Sequence, residues 1–245
     1  MDWLHRLPLE LGQLLDYTHL PRRVLRHVIF AHEVGVGSRV LVAGRDDGEL
    51  VRFFDRLGFS ASGFDETDSG KVAAFGMSPS SLFNAGEEGT PLPVERDRFD
   101  LVVVRDLRAY QGSLFSVSAL EATAKLMACV RNCGHLVFVQ RVATLLSSGA
   151  GGHSPSCYVR HLSCFPGTCA FAEFPVGQTR SRSWQEILRF RRLSQIAAVS
   201  LRCPSQPIPR SDWLSRARAA AEAHAQPCCY GCQLDGSPDG RKSAA

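Results

Sequence analysis

Two glycines and three acids in the first third of the chain carry spacing suited to a nucleoside ligand. Gly44 and Gly48 frame the stretch Gly44-Arg45-Asp46-Asp47-Gly48, and Asp65 follows 21 positions after Gly44. Glycine where a strand runs into a helix lets the chain turn sharply and lets a ligand approach the backbone. An acid about 20 residues further on, at the end of the next strand, can take both hydroxyls of a ribose. Charge bears on which nucleoside this is. A dinucleotide rests its pyrophosphate on the helix N-terminus, where Asp46 and Asp47 would repel it at a few ångströms; a sulfonium or amino group tolerates the same acids. Asp46, three residues ahead of Glu49, also reads as a helix N-cap in a capping-box arrangement.

A second constellation is His224-Ala225-Gln226-Pro227-Cys228-Cys229-Tyr230-Gly231-Cys232. A CxxC, a third thiol and a histidine within nine residues are enough in principle for tetrahedral Zn²⁺, but the ligands are crowded and no second CxxC exists. The expectation is an unliganded tail with no metal. Nine cysteines is an odd number, scattered through segments that read as core and loop, so free thiols are expected rather than a disulfide framework. Cys129 and Cys133 read as helical neighbours, and Cys157, Cys164 and Cys169 as small core or loop residues.

The elements that would position these groups alternate between strand and helix. Residues 1–37 read as helical, with Pro21 at a first helical position and Val24, Leu25, Val28, Ile29 and His32 recurring at three- and four-residue spacing. Arg39-Val40-Leu41-Val42-Ala43 is a short strand, and Leu50, Phe54 and Leu57 mark one face of a helix that Gly58 closes. Residues 59–64 form a weaker second strand, 67–75 a second helix and 80–83 a poor third strand. Phe99-Asp100-Leu101-Val102-Val103-Val104 reads as the central strand, apolar enough to be buried on both faces. A helix over 114–130 and a strand at Gly134-His135-Leu136-Val137-Phe138-Val139 follow. Residues 154–166 show no clear period. Strands at 170–174 and 196–201 flank a helix near 184–190, and Ser211 caps a last helix over 212–225. Such alternation implies a three-layer α/β sandwich on a mostly parallel central sheet, Rossmann-like, with a helical N-terminal lead-in.

Four blocks in order resemble the class I S-adenosylmethionine (SAM) methyltransferases: 40–50 around the glycines, Gly63-Phe64-Asp65, Pro91-Leu92-Pro93 ahead of 99–104, and Gly134-His135-Leu136-Val137. The resemblance covers about residues 39–140. It implies that Gly44, Asp46 and Gly48 lie at the methionine part of SAM, that Asp65 holds the ribose, and that Glu88, or else Asn84, holds the adenine amino group. It also implies that Arg105 and Asp106 sit at the floor of the substrate crevice. The chain departs from the family pattern at Val42, where an acid is usual, and at Asp46, where a glycine is usual. It also lacks the Asn/Asp-Pro-Pro-aromatic motif of base-amino methyltransferases after the central strand. Methyl transfer is an in-line displacement that rests on positioning, with a general base only where the acceptor needs one. Asp106, Tyr110, His135, His153 and His161 are the candidates, and no spacing singles one out.

Composition narrows the class. The 245 residues are 44% hydrophobic and 21% charged, with no run near the roughly 20 apolar residues of a membrane span. Three units are expected: a lead-in at 1–37, the methyltransferase-like domain at 38–226 and a Cys-bearing, disordered tail at 227–245. Met1-Asp2-Trp3-Leu4-His5-Arg6 lacks the pattern of a secretory signal, which points to the cytoplasm. Of the 28 cations 25 are Arg, and nine of these fall between Gln178 and Arg218 against two acids. That cluster suits an anionic substrate or nucleic acid, although base-stacking aromatics are sparse there. The reading that follows is a SAM-dependent methyltransferase acting on a small molecule; the alternative is a catalytically inactive relative that keeps the fold as a binding or interaction module.

Overall fold

The computed structural model describes residues 22–44, 48–66, 72–75, 99–142, 153–175 and 195–223, with backbone alone at 22–23, 64–66, 72–75, 141–142, 175, 195 and 210. Seven strands form one sheet among these residues. They are β1 (Arg39–Gly44), β2 (Ser60–Glu66), β3 (Val72–Phe75), β4 (Phe99–Arg105), β5 (Val130–Val142), β6 (Thr168–Pro175) and β7 (Gln195–Arg202), in the spatial order β3-β2-β1-β4-β5-β7-β6. The central four, β2, β1, β4 and β5, run parallel. The antiparallel pairings are confined to the flanks, β3 on β2, β7 on β5 and β6 on β7.

The apolar run of β4 is explained by cover on both of its faces. Leu101 and Val103 belong to one core and Val102 and Val104 to the other, all at most 1% exposed. On the first face lie α1 (Arg22–Phe30) and α2 (Glu49–Arg56), whose Val24, Leu25, Val28, Leu50 and Phe54 pack with Val40, Val42 and Val137. On the second lie α3 (Val117–Met127), α4 (Pro155–Leu162) and α5 (Arg210–Ala223), whose Leu120, Tyr158, Leu162 and Trp213 pack with Leu41, Leu136 and Phe138. The three-layer expectation is met. In α2, Phe53 and Phe54 are indifferent helix formers, costing about 0.5 kcal/mol each against Ala. Their burial contributes about 2 kcal/mol apiece and decides the matter. The helix ends as the sequence suggests: Gly58 has φ 85°, its N–H reaches Asp55 O at 2.9 Å, and the Phe59 N–H reaches Phe54 O at 3.1 Å.

Several expectations need correction. Residues 72–75, read as part of a helix, are β3, because four residues of Val-Ala-Ala-Phe pair with the open edge of β2. The proposed strand at 80–83, the helix near 184–190 and the tail at 227–245 lie outside the described residues. The segment without a period contains α4, capped by Ser154, whose Oγ accepts the Cys157 N–H. Seven apolar and polar residues after a proline are too few to show a 3.6-residue repeat. Ser211 is not a cap but lies inside α5, which Arg210 begins; its Oγ donates to Asp212 Oδ1 instead. Cys129 and Cys133 do not share a helix. α3 ends at Met127, and Cys133 sits within β5 at φ 60°, its N–H bonded to Pro204 O. All six described cysteines are free thiols. No helix among the described residues is long and apolar enough to cross a membrane.

One buried polar chain ties α3 and α4 to the segment after β4. His161 is fully buried, and its Nδ1–H donates to Leu114 O at 2.7 Å. Its Nε2 therefore accepts, from the Thr123 hydroxyl at 2.7 Å, and Tyr110 Oη lies 2.9 Å from Thr123 Oγ1. Burial pushes the His161 pKa down to about 4, against a partial opposing effect of the Leu114 carbonyl. The folded state thus binds fewer protons than the unfolded chain, whose histidine titrates near 6.5. Stability from this site is fully present above about pH 6.5 and is lost as pH falls toward 4. His135, also lowered to about 4 by burial and by His32, Arg202 and Arg131, acts in the same direction. The urea midpoint should therefore fall between pH 7.5 and pH 4.5, with His161 supplying up to about 3 kcal/mol of the loss. His161→Gln should show a shallower pH dependence; a slope equal to that of the wild type would refute the assignment.

Candidate functional site

The chain leaves β1 toward β2 and β3 on one side, then crosses to β4 and β5 on the other. The switch point lies between β1 and β4, and a crevice for ligands forms there at the carboxyl ends of the parallel strands. Gly44 ends β1 and pairs in register with Arg105, which ends β4. Gly44 has φ 118°, and a Cβ built on it would stand 1.7 Å from the Arg105 carbonyl oxygen and 3.2 Å from Leu107 N. The side of Gly44 where a side chain would stand is occupied by the protein's own backbone. Gly44 is required by the close approach of β1 and β4.

Gly48 is the N-cap of α2 in a left-handed conformation, φ 72° and ψ 7°, with no side chain capping it. The capping-box reading is thereby corrected: the cap position belongs to Gly48, and Glu49 is the first helical residue. Asp46 lies outside the described residues, as do Glu88, Asn84 and the His224, Cys228, Cys229 and Cys232 constellation. Asp65 is the penultimate residue of β2, at the same end of the sheet as Gly44. Val42 points into the apolar core beneath α2 and is 2% exposed, so an acid there would lie among Leu50, Val51 and Phe54.

After β4 the backbone turns through Asp106 at φ 48°. The Arg105 side chain is largely covered, at 13% exposure, while that of Asp106 is 55% exposed, with Arg105 Nε 4.0 Å from Asp106 Oδ2. Gln140, near the end of β5, is buried and was not foreseen as a site residue. Oriented so that its nitrogen meets the carboxylate, its amide donates to Asp106 Oδ1 and accepts the Asp106 N–H, each over 3.0 Å. A polar residue continuing the inward row Leu136-Phe138-Gln140 was the signal available in the sequence.

The five candidate bases separate. Tyr110 and His161 spend their polar atoms in the core chain described above. His135 lies at the opposite end of the sheet, paired with Leu101 and against His32 at 4.8 Å between ring centroids. His153 is buried, with Nε2 3.2 Å from Tyr110 O and its ring against Tyr158. Asp106 is the candidate that combines exposure with a place at the switch point. Among the described residues no cluster of three or more His, Cys, Asp and Glu could hold a metal. A hollow of about 190 Å³ lined by Met127, Ile208 and Trp213 opens at the far end of the sheet, away from the crevice. It is small beside the roughly 300–1,000 Å³ of typical ligand sites.

The Arg cluster also divides. Arg202 ends β7 at the far end of the sheet, and Arg216 and Arg218 lie on α5, where Arg218 Nε is 3.5 Å from Glu121 Oε1. Arg180, Arg182, Arg189, Arg191 and Arg192 lie outside the described residues.

No family model and no curated protein sequence matches this chain. Solved structures similar to it include a SAM-dependent methyltransferase from Methanosarcina mazei, 11% identical over 76% of this chain and 99% of that one, with a TM-score of 0.45. Geranyl diphosphate C-methyltransferase from Streptomyces coelicolor, in complex with geranyl diphosphate and S-adenosyl-L-homocysteine, is 10% identical over 78% and 82%, at 0.46. The cyclase SpnF is 10% identical over 75% and 82%, at 0.48. Likeness at this level says nothing of activity or cofactor.

The contact between Gly44 and the Arg105 carbonyl generates a sharp expectation. Gly44→Ala combines a left-handed strain of about 1–2 kcal/mol with a clash against rigid backbone, so it should cost more than about 4 kcal/mol. Gly112→Ala, with nothing within 4 Å of the added atom, should change stability by less than about 0.5 kcal/mol. Chemical denaturation of both variants checks this, and a Gly44→Ala loss under about 1 kcal/mol would contradict the packing described.

Proposed function

We propose that this chain is a SAM-dependent methyltransferase that acts on a small-molecule acceptor in the crevice between β1 and β4. The observation that carries the reading is the acidic helix start at the switch point. Glu49 opens α2 directly after Gly48, and Asp46 and Asp47 precede it in the chain. A pyrophosphate at this helix N-terminus would meet the Glu49 carboxylate, with two more acids just before it in sequence, whereas the sulfonium and amino groups of SAM are cations that acids favour.

The residues that would hold SAM are Gly44, Asp46 and Gly48 along the turn after β1, Asp65 for the ribose hydroxyls, Glu88 for the adenine and Arg105 at the floor. When bound, SAM supplies an electrophilic methyl on sulfur, which leaves as a neutral thioether once an acceptor lone pair has taken the methyl. The chain's own contribution is to orient the acceptor in line with that bond, which by itself can supply most of the acceleration. Asp106 stands where a proton released by the acceptor could be received.

Val42 favours a second reading. With an apolar side chain buried where an acid would meet the cofactor's amino group, the fold could serve as a binding module without turnover.

Isothermal calorimetry with S-adenosylhomocysteine separates these readings from a chain that binds no such ligand. A saturable heat is expected, weakened about 10- to 100-fold in Asp65→Ala, since each lost hydrogen bond to a carboxylate is worth about 1.5–3 kcal/mol. Binding without methyl transfer to any of a panel of small acceptors would support the binding module, and no heat at millimolar ligand would overturn both.

A further inference from the structure

The Gln140–Asp106 clamp has a geometry that neither the turn nor the core requires. For the turn alone, glycine at position 106 would take φ 48° without strain and without a partner. For the core alone, leucine at position 140 would extend the row of Leu136 and Phe138, which are fully buried. Instead, a buried amide spends both of its polar atoms on a single residue, donating to Asp106 Oδ1 and accepting the Asp106 N–H. Burying an amide is costly unless both ends are satisfied, and this pair satisfies them with one bond to the carboxylate and one from the backbone of the same residue, which together tie the side chain to its own turn. Oδ2 lies 4.0 Å from Arg105 Nε, within ion-pair range but beyond hydrogen-bond length, on a side chain that is 55% exposed. Asp106 follows Arg105, the residue in register with Gly44, so this oxygen stands at the switch point itself.

We propose that Gln140 is a positioning residue that holds the Asp106 carboxylate at the switch point to recognise an acceptor presenting an amine. The inference rests on the reading of the crevice as a SAM site and adds to it a recognition group and a substrate class. Asp106 meets the amine through Oδ2; Gln140 acts through Asp106. A hydrogen-bond-donating cation is the group that a fixed carboxylate selects over a neutral or anionic one.

The test compares two SAM-site ligands by calorimetry: S-adenosylhomocysteine, which has nothing where the transferred methyl would be, and sinefungin, which carries an amine there. In the wild type, sinefungin should bind more tightly. In Asp106→Asn this preference should fall about tenfold, the order expected for one charge-assisted hydrogen bond. In Gln140→Leu, or in the shorter amide Gln140→Asn should Leu fail to fold, it should fall at least about threefold. Affinity for S-adenosylhomocysteine should stay within about twofold of the wild type throughout, which a general loss of structure would not allow. If S-adenosylhomocysteine binds but the preference for sinefungin is the same in wild type and variants, the positioning role is overturned while the SAM site stands. If neither ligand binds the wild type, the site reading falls and takes the positioning role with it.

Discussion

The backbone contact between Gly44 and Arg105 is the constraint on which the arrangement of the crevice depends. At the end of β1 a side chain of any size would meet the Arg105 carbonyl, so β1 and β4 can stay in register to their last residues only with glycine at position 44. That register puts the end of β1, from which the chain leads to α2, beside the turn through Asp106. It also brings the end of β2, with Asp65, to the same end of the sheet. Without it the acidic start of α2 and the clamped carboxylate would have no common crevice.

Two cores hold this geometry from either side. The layer of α1 and α2 covers one face of β1 and β4, Val40 and Val42 with Leu101 and Val103, through side chains such as Phe54, and the layer of α3, α4 and α5 covers the other, Leu41 and Ala43 with Val102 and Val104, through Leu120 and Trp213. From the second layer to the segment after β4 runs the chain His161, Thr123 and Tyr110, whose polar atoms are satisfied inward. Such a satisfied network rigidifies the segment after β4. It also explains why two of the candidate bases are structural: their hydrogen-bonding capacity is already used.

Where a segment's own periodicity matched its burial, the sequence was legible. β4 and the end of α2 at Gly58 could be read because double-sided burial leaves an unbroken apolar run and a left-handed C-cap demands glycine. β3 was misread because four residues of Val-Ala-Ala-Phe have no period of their own and owe their conformation to the edge of β2. α4 was missed because Ser154 and Pro155 are start signals without a following repeat long enough to count. At the site, Gly44 and Gly48 stand out through turn chemistry alone, while the packing of Gly44 on the Arg105 carbonyl is a further reason for glycine that only the sheet shows. For Gln140 the alternation of β5 marks only a polar residue in an apolar row; its partner Asp106, 34 positions away, is not legible from that pattern.

A single structure of crystals soaked with S-adenosylhomocysteine tests the central claim most directly. The account predicts the ligand along the turn from Gly44 to Gly48, with its ribose hydroxyls on the Asp65 carboxylate and its sulfur directed toward Asp106. A crevice between β1 and β4 that stays empty at saturating ligand, or a ligand seated at the other end of the sheet near Trp213, would contradict it.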